Sequence, residues 1–160
     1  MEDPQNINLN KILTYWGFTD AKITKYFHPD SPRIVAEISV GNKQYILKGI
    51  PYTRDGESRE EQTIYGNVLA HQFLGNQRGI APQIFPTKCS PQDYYLKKDG
   101  YWFFLIEFIE GRPMQETPAD ELLLGKLARK LHSLEGYSFP TALNENKQRF
   151  YSWFSEKPFK

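Results

Sequence analysis

The sequence predicts an α+β fold: a mostly antiparallel sheet of five strands with one helix packed on it, followed by further helices. Three observations carry this. Residues 31–49 hold two alternating, β-branched runs joined by Gly41-Asn42, which reads as a hairpin. Residues 94–97 and 101–109 are a second extended pair around Lys98-Asp99-Gly100, another strong turn signal. Between and after these pairs, apolar residues recur at helical spacing.

The elements follow in order. A short helix is expected over 8–16, with Asn8 as N-cap, Leu9, Ile12, Leu13 and Trp16 on one face, and Gly17 as the stop. Residues 21–28 are extended, and Pro29-Asp30-Ser31-Pro32 is a tight connection into the first hairpin. The next helix is expected over 58–74. Ser58 and Glu61 stand at capping-box spacing, Ile64, Tyr65, Val68, Leu69, Gln72 and Phe73 form its stripe, and Gly75-Asn76 ends it. Residues 83–87 make a short strand. Residues 101–109 are almost continuously apolar, as in a central strand buried on both faces. A helix over 119–134 carries Leu122, Leu123, Leu127, Leu131 and Leu134, with Asp120 and Glu121 at its start and Arg129, Lys130 and His132 at its end. A last helix over 144–154 presents Phe150, Tyr151, Trp153 and Phe154.

Composition narrows the function classes. The chain has 160 residues, enough for one domain or one domain with an appendage. Its 20 Lys+Arg against 19 Asp+Glu predict no nucleic-acid partner. Cys89 is the only cysteine, which excludes an intrachain disulfide framework or thiolate cluster and fits a reducing compartment. The start, Met1-Glu2-Asp3-Pro4, is not a signal peptide, and no apolar run approaches the roughly 20 residues of a membrane helix. The expectation is a soluble, cytoplasmic protein with no membrane partner.

One residue in the first hairpin stands apart. Lys48 follows Tyr45-Ile46-Leu47, so an ammonium is set against an apolar strand. Such a lysine is costly unless an anion or carboxylate meets it. From these residues alone, an edge-strand lysine reaching water is the simpler reading.

The order of elements is strand, hairpin ending in lysine, helix with an early glutamate, strand pair ending in a Glu/Gly crossing, and helix. The residues that mark it are Ser31-Pro32-Arg33-Ile34-Val35, Tyr45-Ile46-Leu47-Lys48, Glu60-Glu61, Gly79-Ile80-Ala81-Pro82, Phe104-Leu105-Ile106-Glu107-Phe108-Ile109-Glu110-Gly111 and Leu127-Ala128-Arg129-Lys130-Leu131-His132. This resembles the N-terminal lobe of protein kinase-like phosphotransferases, more specifically the aminoglycoside phosphotransferase and choline kinase-like superfamily. The resemblance implies a lobe over 1–106, a hinge over 107–113 and the start of a C-terminal helical lobe over 114–160.

It also implies an ATP site. Lys48 would meet the α- and β-phosphates, and an acid from the next helix, Glu61 with Glu60 as runner-up, would hold its ammonium in place. Ser31, in the phosphate-covering turn, would donate its hydroxyl or N–H; an ordinary turn is the competing reading. Glu107 C=O and Ile109 N–H would meet the adenine edge. Ile106 would back the pocket, with Ile38, Ile46 and Ile84 as walls. The acceptor in a full-length form would be a small-molecule hydroxyl.

The family's catalytic loop, H-x-D-x-x-x-x-N, and its later metal-binding aspartate should follow the hinge. After Gly111 the only aspartate is Asp120, expected as a dipole or capping residue, and His132 is followed by Ser133-Leu134. His28-Pro29-Asp30 matches H-x-D but precedes the lysine strand, and reads as a turn. The expectation is therefore a nucleotide-binding part cut before its catalytic loop, with no catalytic residue or metal site of its own and Mg only if the missing part is supplied. The aromatic residues of 144–154 would then form an apolar patch or a self-association contact. The alternative is a non-catalytic interaction module or pseudokinase built on the same lobe. A third reading is an α+β binding domain unrelated to kinases.

Overall fold

Turn chemistry sets both hairpins. In the computed structural model, which describes residues 7–52, 57–90, 92–112, 115 and 117–134 without the side chains of 57–63 and 132, strand β2 (Ile34–Val40) turns at Gly41 into β3 (Lys43–Pro51). Gly41 has φ 57°, a conformation that strains a residue with a Cβ. Strand β5 (Leu96–Lys98) turns into β6 (Tyr101–Glu107) through Asp99 and Gly100, with φ 50° and 77°. Two successive positive φ values match the twist of the flanking strands.

The first unit spans Met1–Phe108 and contains the sheet, in the order β1-β2-β3-β6-β4. Strand β1 is Lys22–Tyr26 and β4 is Ile84–Phe85. Every pairing is antiparallel. The α+β class is as expected, with six strands where five were expected. The extra strand arises because β5 and β4 divide one edge of β6: β5 pairs with residues 101–103 and β4 with 105–106.

Strand β6 is the spine. Residues 101–106 are all buried, and alternation sends them into two different cores. Tyr101, Phe103 and Leu105 join Ile34, Ala36, Ile38, Tyr45 and Leu47 under a first helix, α1 (Leu9–Leu13), which continues as a single 3-10 turn to Trp16. Trp102, Phe104 and Ile106 join Ile84 and the Ile64 and Val68 of α2 (Glu57–His71) on the other face. Asn8 caps α1 by accepting from Lys11 N at 3.1 Å, and Gly17 ends the turn at φ 81°. Trp16 Nε1 then donates to Phe85 O at 3.0 Å, tying α1 to β4.

Helix α2 departs from expectation at both ends. It begins at Glu57, so Ser58 lies inside it, and it widens after His71 into a π turn over Gln72–Gln77. Gly75 does not stop it. A Cβ there would collide with the Pro82 carbonyl, so the glycine permits close packing. The reversal falls at Gly79, φ 62°. Tyr65 is exposed, which removes it from the inner stripe; Ile64, Val68 and the half-buried His71 form that stripe instead.

The second unit spans Ile109–Lys160. Its described helix, α3 (Pro118–His132), is capped by Thr117, whose side chain accepts from Asp120 N. Asp120 is therefore not the cap. Its carboxylate accepts two bonds from the Arg112 guanidinium, at 2.7 and 2.9 Å, and one from Gln115 N at 2.7 Å. Leu122, Leu123, Leu124, Leu127 and Leu131 of α3 are exposed. The expected helix over 144–154 and its aromatic residues lie outside the described residues.

Candidate functional site

Strand β3 is interior, paired with β2 on one side and β6 on the other. An edge-strand lysine is thereby excluded for Lys48. Its strand neighbours are Val35 and Phe104. Alternation along β3 places Tyr45 and Leu47 in the α1 core, so Ile46, Lys48 and Ile50 face the α2 side. The Lys48 side chain is half-buried, with Nζ 6.0 Å from the centroid of the Phe104 ring. Burial pushes the Lys48 ammonium below the usual lysine range, because a charge leaving water loses hydration.

His71, in the last turn of α2, shares this neighbourhood. Its ring centroid is 6.5 Å from that of Phe104. Its Nδ1 lies 3.0 Å from Pro82 O. A carbonyl only accepts, so Nδ1 carries the proton and Nε2 is left as an acceptor when the ring is neutral. Burial lowers the His71 pKa; the Pro82 bond opposes this, and the nearby Lys48 charge lowers it further. The signal was in the sequence, since His71 follows Ile64 by seven and Val68 by three, but the expected stripe passed over it.

Behind Lys48 lies a row of isoleucines. Ile46 pairs with Ile106, and Ile106 with Ile84, across three strands on the α2 side. Ile38 does not join them. It is fully buried in the α1 core, on the opposite face, because its strand partner is Tyr45 and not Ile46. The expected fourth wall is thus corrected.

Ser31 lies in a turn closed by its own N–H, which donates to His28 O at 3.0 Å. Its Oγ accepts from Arg33 N at 3.1 Å, leaving the hydroxyl proton to donate elsewhere. His28-Pro29-Asp30 is part of this turn, with His28 at φ 56°.

Glu107 ends β6 and is clasped to Gln83 twice, by N–H to Gln83 O at 2.8 Å and by Oε2 accepting from Gln83 N at 3.2 Å. Ile109 follows in the second unit and is exposed. The Glu60 and Glu61 side chains lie outside the described residues.

Asn76, expected only as part of a helix stop, has a different role. Asn76 Nδ2 donates to Ile84 O and its Oδ1 accepts from Ile84 N, both at 2.9 Å. The amide thus acts as a one-residue strand along the outer edge of β4. Among the described residues no cluster of three metal-ligating side chains occurs, and no helix is long and apolar enough to cross a membrane.

The solved structure of spectinomycin phosphotransferase APH(9)-Ia, in complex with ADP and spectinomycin, is similar to this chain. The two share 16% identity at a TM-score of 0.49, over 100% of this chain and 48% of that one. The chain thus spans about half the length of that protein. No protein-family model matches the chain, and no curated protein does.

Proposed function

We propose that this chain is the nucleotide-binding part of an ATP-dependent small-molecule phosphotransferase. One observation carries the reading: Lys48 is half-buried on an interior strand, facing Phe104 with its ammonium partly stripped of water. An interior lysine held at that cost suits a bound anion, since phosphates restore the charge interactions that burial removes. In this reading Lys48 meets the α- and β-phosphates, and an acid at position 60 or 61 orients it. The Ser31 hydroxyl donates to a phosphate oxygen. Ile46, Ile84 and Ile106 form the apolar back of the adenine pocket, and the backbone at Glu107 meets its polar edge.

When bound, ATP with Mg²⁺ supplies the transferable phosphoryl group; this chain's part is to position it and balance its charge. The sequence after Gly111 holds no H-x-D-x-x-x-x-N, so the general base and metal ligands come from outside these 160 residues. Transfer by this chain alone is not expected.

Differential scanning of the chain with ADP, with and without Mg²⁺, tests the reading. A saturable rise in Tm that disappears in Lys48→Met supports it. No shift with any adenine nucleotide, or an equal shift in Lys48→Met, overturns it.

A further inference from the structure

The first unit holds a cleft that shares only Ser31 with the nucleotide reading. It measures about 310 Å³ and lies beneath the turn joining β1 to β2. Ile7, Tyr26 and Ile34 form its apolar side, and His28, Ser31 and Arg33 line it from the turn. Register places its Ile7 and Ile34 wall on the far side of the sheet from Lys48, while Val35, which also lines it, is the strand partner of Lys48. Ile34 pairs with Gly49 and Tyr26 with Ala36, and Ile7, Ile34 and Ala36 belong to the α1 core. Lys48, one residue from Gly49, points the other way.

We infer that this cleft is a binding site for a small aromatic anion. Size sets the first limit. The volume is at the lower end of the roughly 300–1,000 Å³ of ligand pockets, which suits one or two fused rings. The lining sets the second. Tyr26 is 52% exposed, a large aromatic surface left open to water beside Ile7 and Ile34, which favours a flat apolar body. The polar groups set the third. Arg33 brings a permanent positive charge with a planar donor fork, suited to a carboxylate or sulfonate. The His28 ring adds hydrogen-bonding groups beside it.

The turn is built to hold this shape. Ser31 N to His28 O and Arg33 N to Ser31 Oγ brace it from within, and Tyr101 Oη donates to Pro32 O at 3.1 Å to anchor it on the sheet. The same turn carries Ser31. If the nucleotide reading holds, a ligand in the cleft and ADP at Lys48 share that turn and influence each other's affinity equally.

The test uses naphthalene-2-carboxylate as probe, with neutral naphthalene-2-methanol as its control, followed by amide NMR on the full chain. The expected result is saturable shifts confined to Ile7 and residues 26–35, with a Kd of about 1 mM or tighter. The alcohol, and the carboxylate on Arg33→Ala, should bind about tenfold more weakly, the worth of one charge-assisted bond. Ile7→Trp, which narrows the cleft, should abolish the shifts, and Lys48→Met should leave them intact. Shifts centred on the α3 leucines, equal binding of acid and alcohol, or no saturation would overturn the inference. Binding of the carboxylate with no ADP response would sink the nucleotide reading and sustain this one; the reverse pattern would do the opposite.

Discussion

Lys48 Nζ lies 6.0 Å above the ring of Phe104, its neighbour on the adjacent strand. At that distance the ring's π-face attracts the ammonium only weakly, on the order of 0.5–1 kcal/mol at exposed sites. Desolvation wins, as the downward pKa shift records. A group held against its own solvation preference is where stability and function trade against each other.

Lys48→Met should therefore raise Tm in the absence of ligand, by about 2–4 °C for a gain of ~1 kcal/mol in a chain of this size. The same variant should lose the ADP-induced rise. Calorimetry with and without ADP measures both. A Tm well below wild type would show that Lys48 contributes a stabilising partnership, not a site.

His71 makes stability fall in mild acid. Its folded-state pKa lies below the ordinary 6.5, so between the two values the unfolded chain binds the extra proton. Stability is fully present above pH 6.5 and declines as pH drops from there toward the folded value. His71→Leu should flatten that part of the curve. Denaturant melts between pH 7.5 and 5.5 compare the slopes; parallel slopes would remove His71 as the titrating group.

Asn76→Ala removes both partners of the Ile84 backbone at once. The expected loss is about 1–3 kcal/mol, the cost of leaving partly buried backbone groups unmatched. Asn76→Asp tests the geometry: the carboxylate still accepts from Ile84 N but cannot donate to Ile84 O. Its loss should fall below that of the alanine variant in urea titrations, with hydrogen exchange at Ile84 N slowed relative to it.

Gly49→Ala should be severely destabilising despite normal strand geometry. The new Cβ would lie 2.8 Å from Phe103 Cε1 and 3.1 Å from Ile34 Cβ, so the fully buried Phe103 ring would have to shift. Overpacking of this kind costs about 1–3 kcal/mol. Phe103→Leu in the same background should recover part of it, and failure of that rescue would locate the strain elsewhere.

Local chemistry was legible in the sequence wherever short-range physics decides. Asn8 caps, Gly17 stops, Asp99-Gly100 turns, and 101–106 are buried on both faces, because a cap, a positive φ or an unbroken apolar run constrains its own residues. The π turn after His71 was not legible, because it depends on Gly75 meeting Pro82, a contact the chain makes only when folded. Asn76 looked like a helix terminator for the same reason.

What the sequence determined by itself was the order of the strands and helices among the described residues, and Lys48 as the residue out of keeping with its strand. Tertiary structure decided which face each side chain serves. Pairing partners are fixed by register across strands, and register is a long-range property. It set Ile38 opposite Tyr45 and so away from Ile46, made β3 interior, and brought His71 from the end of α2 toward the lysine.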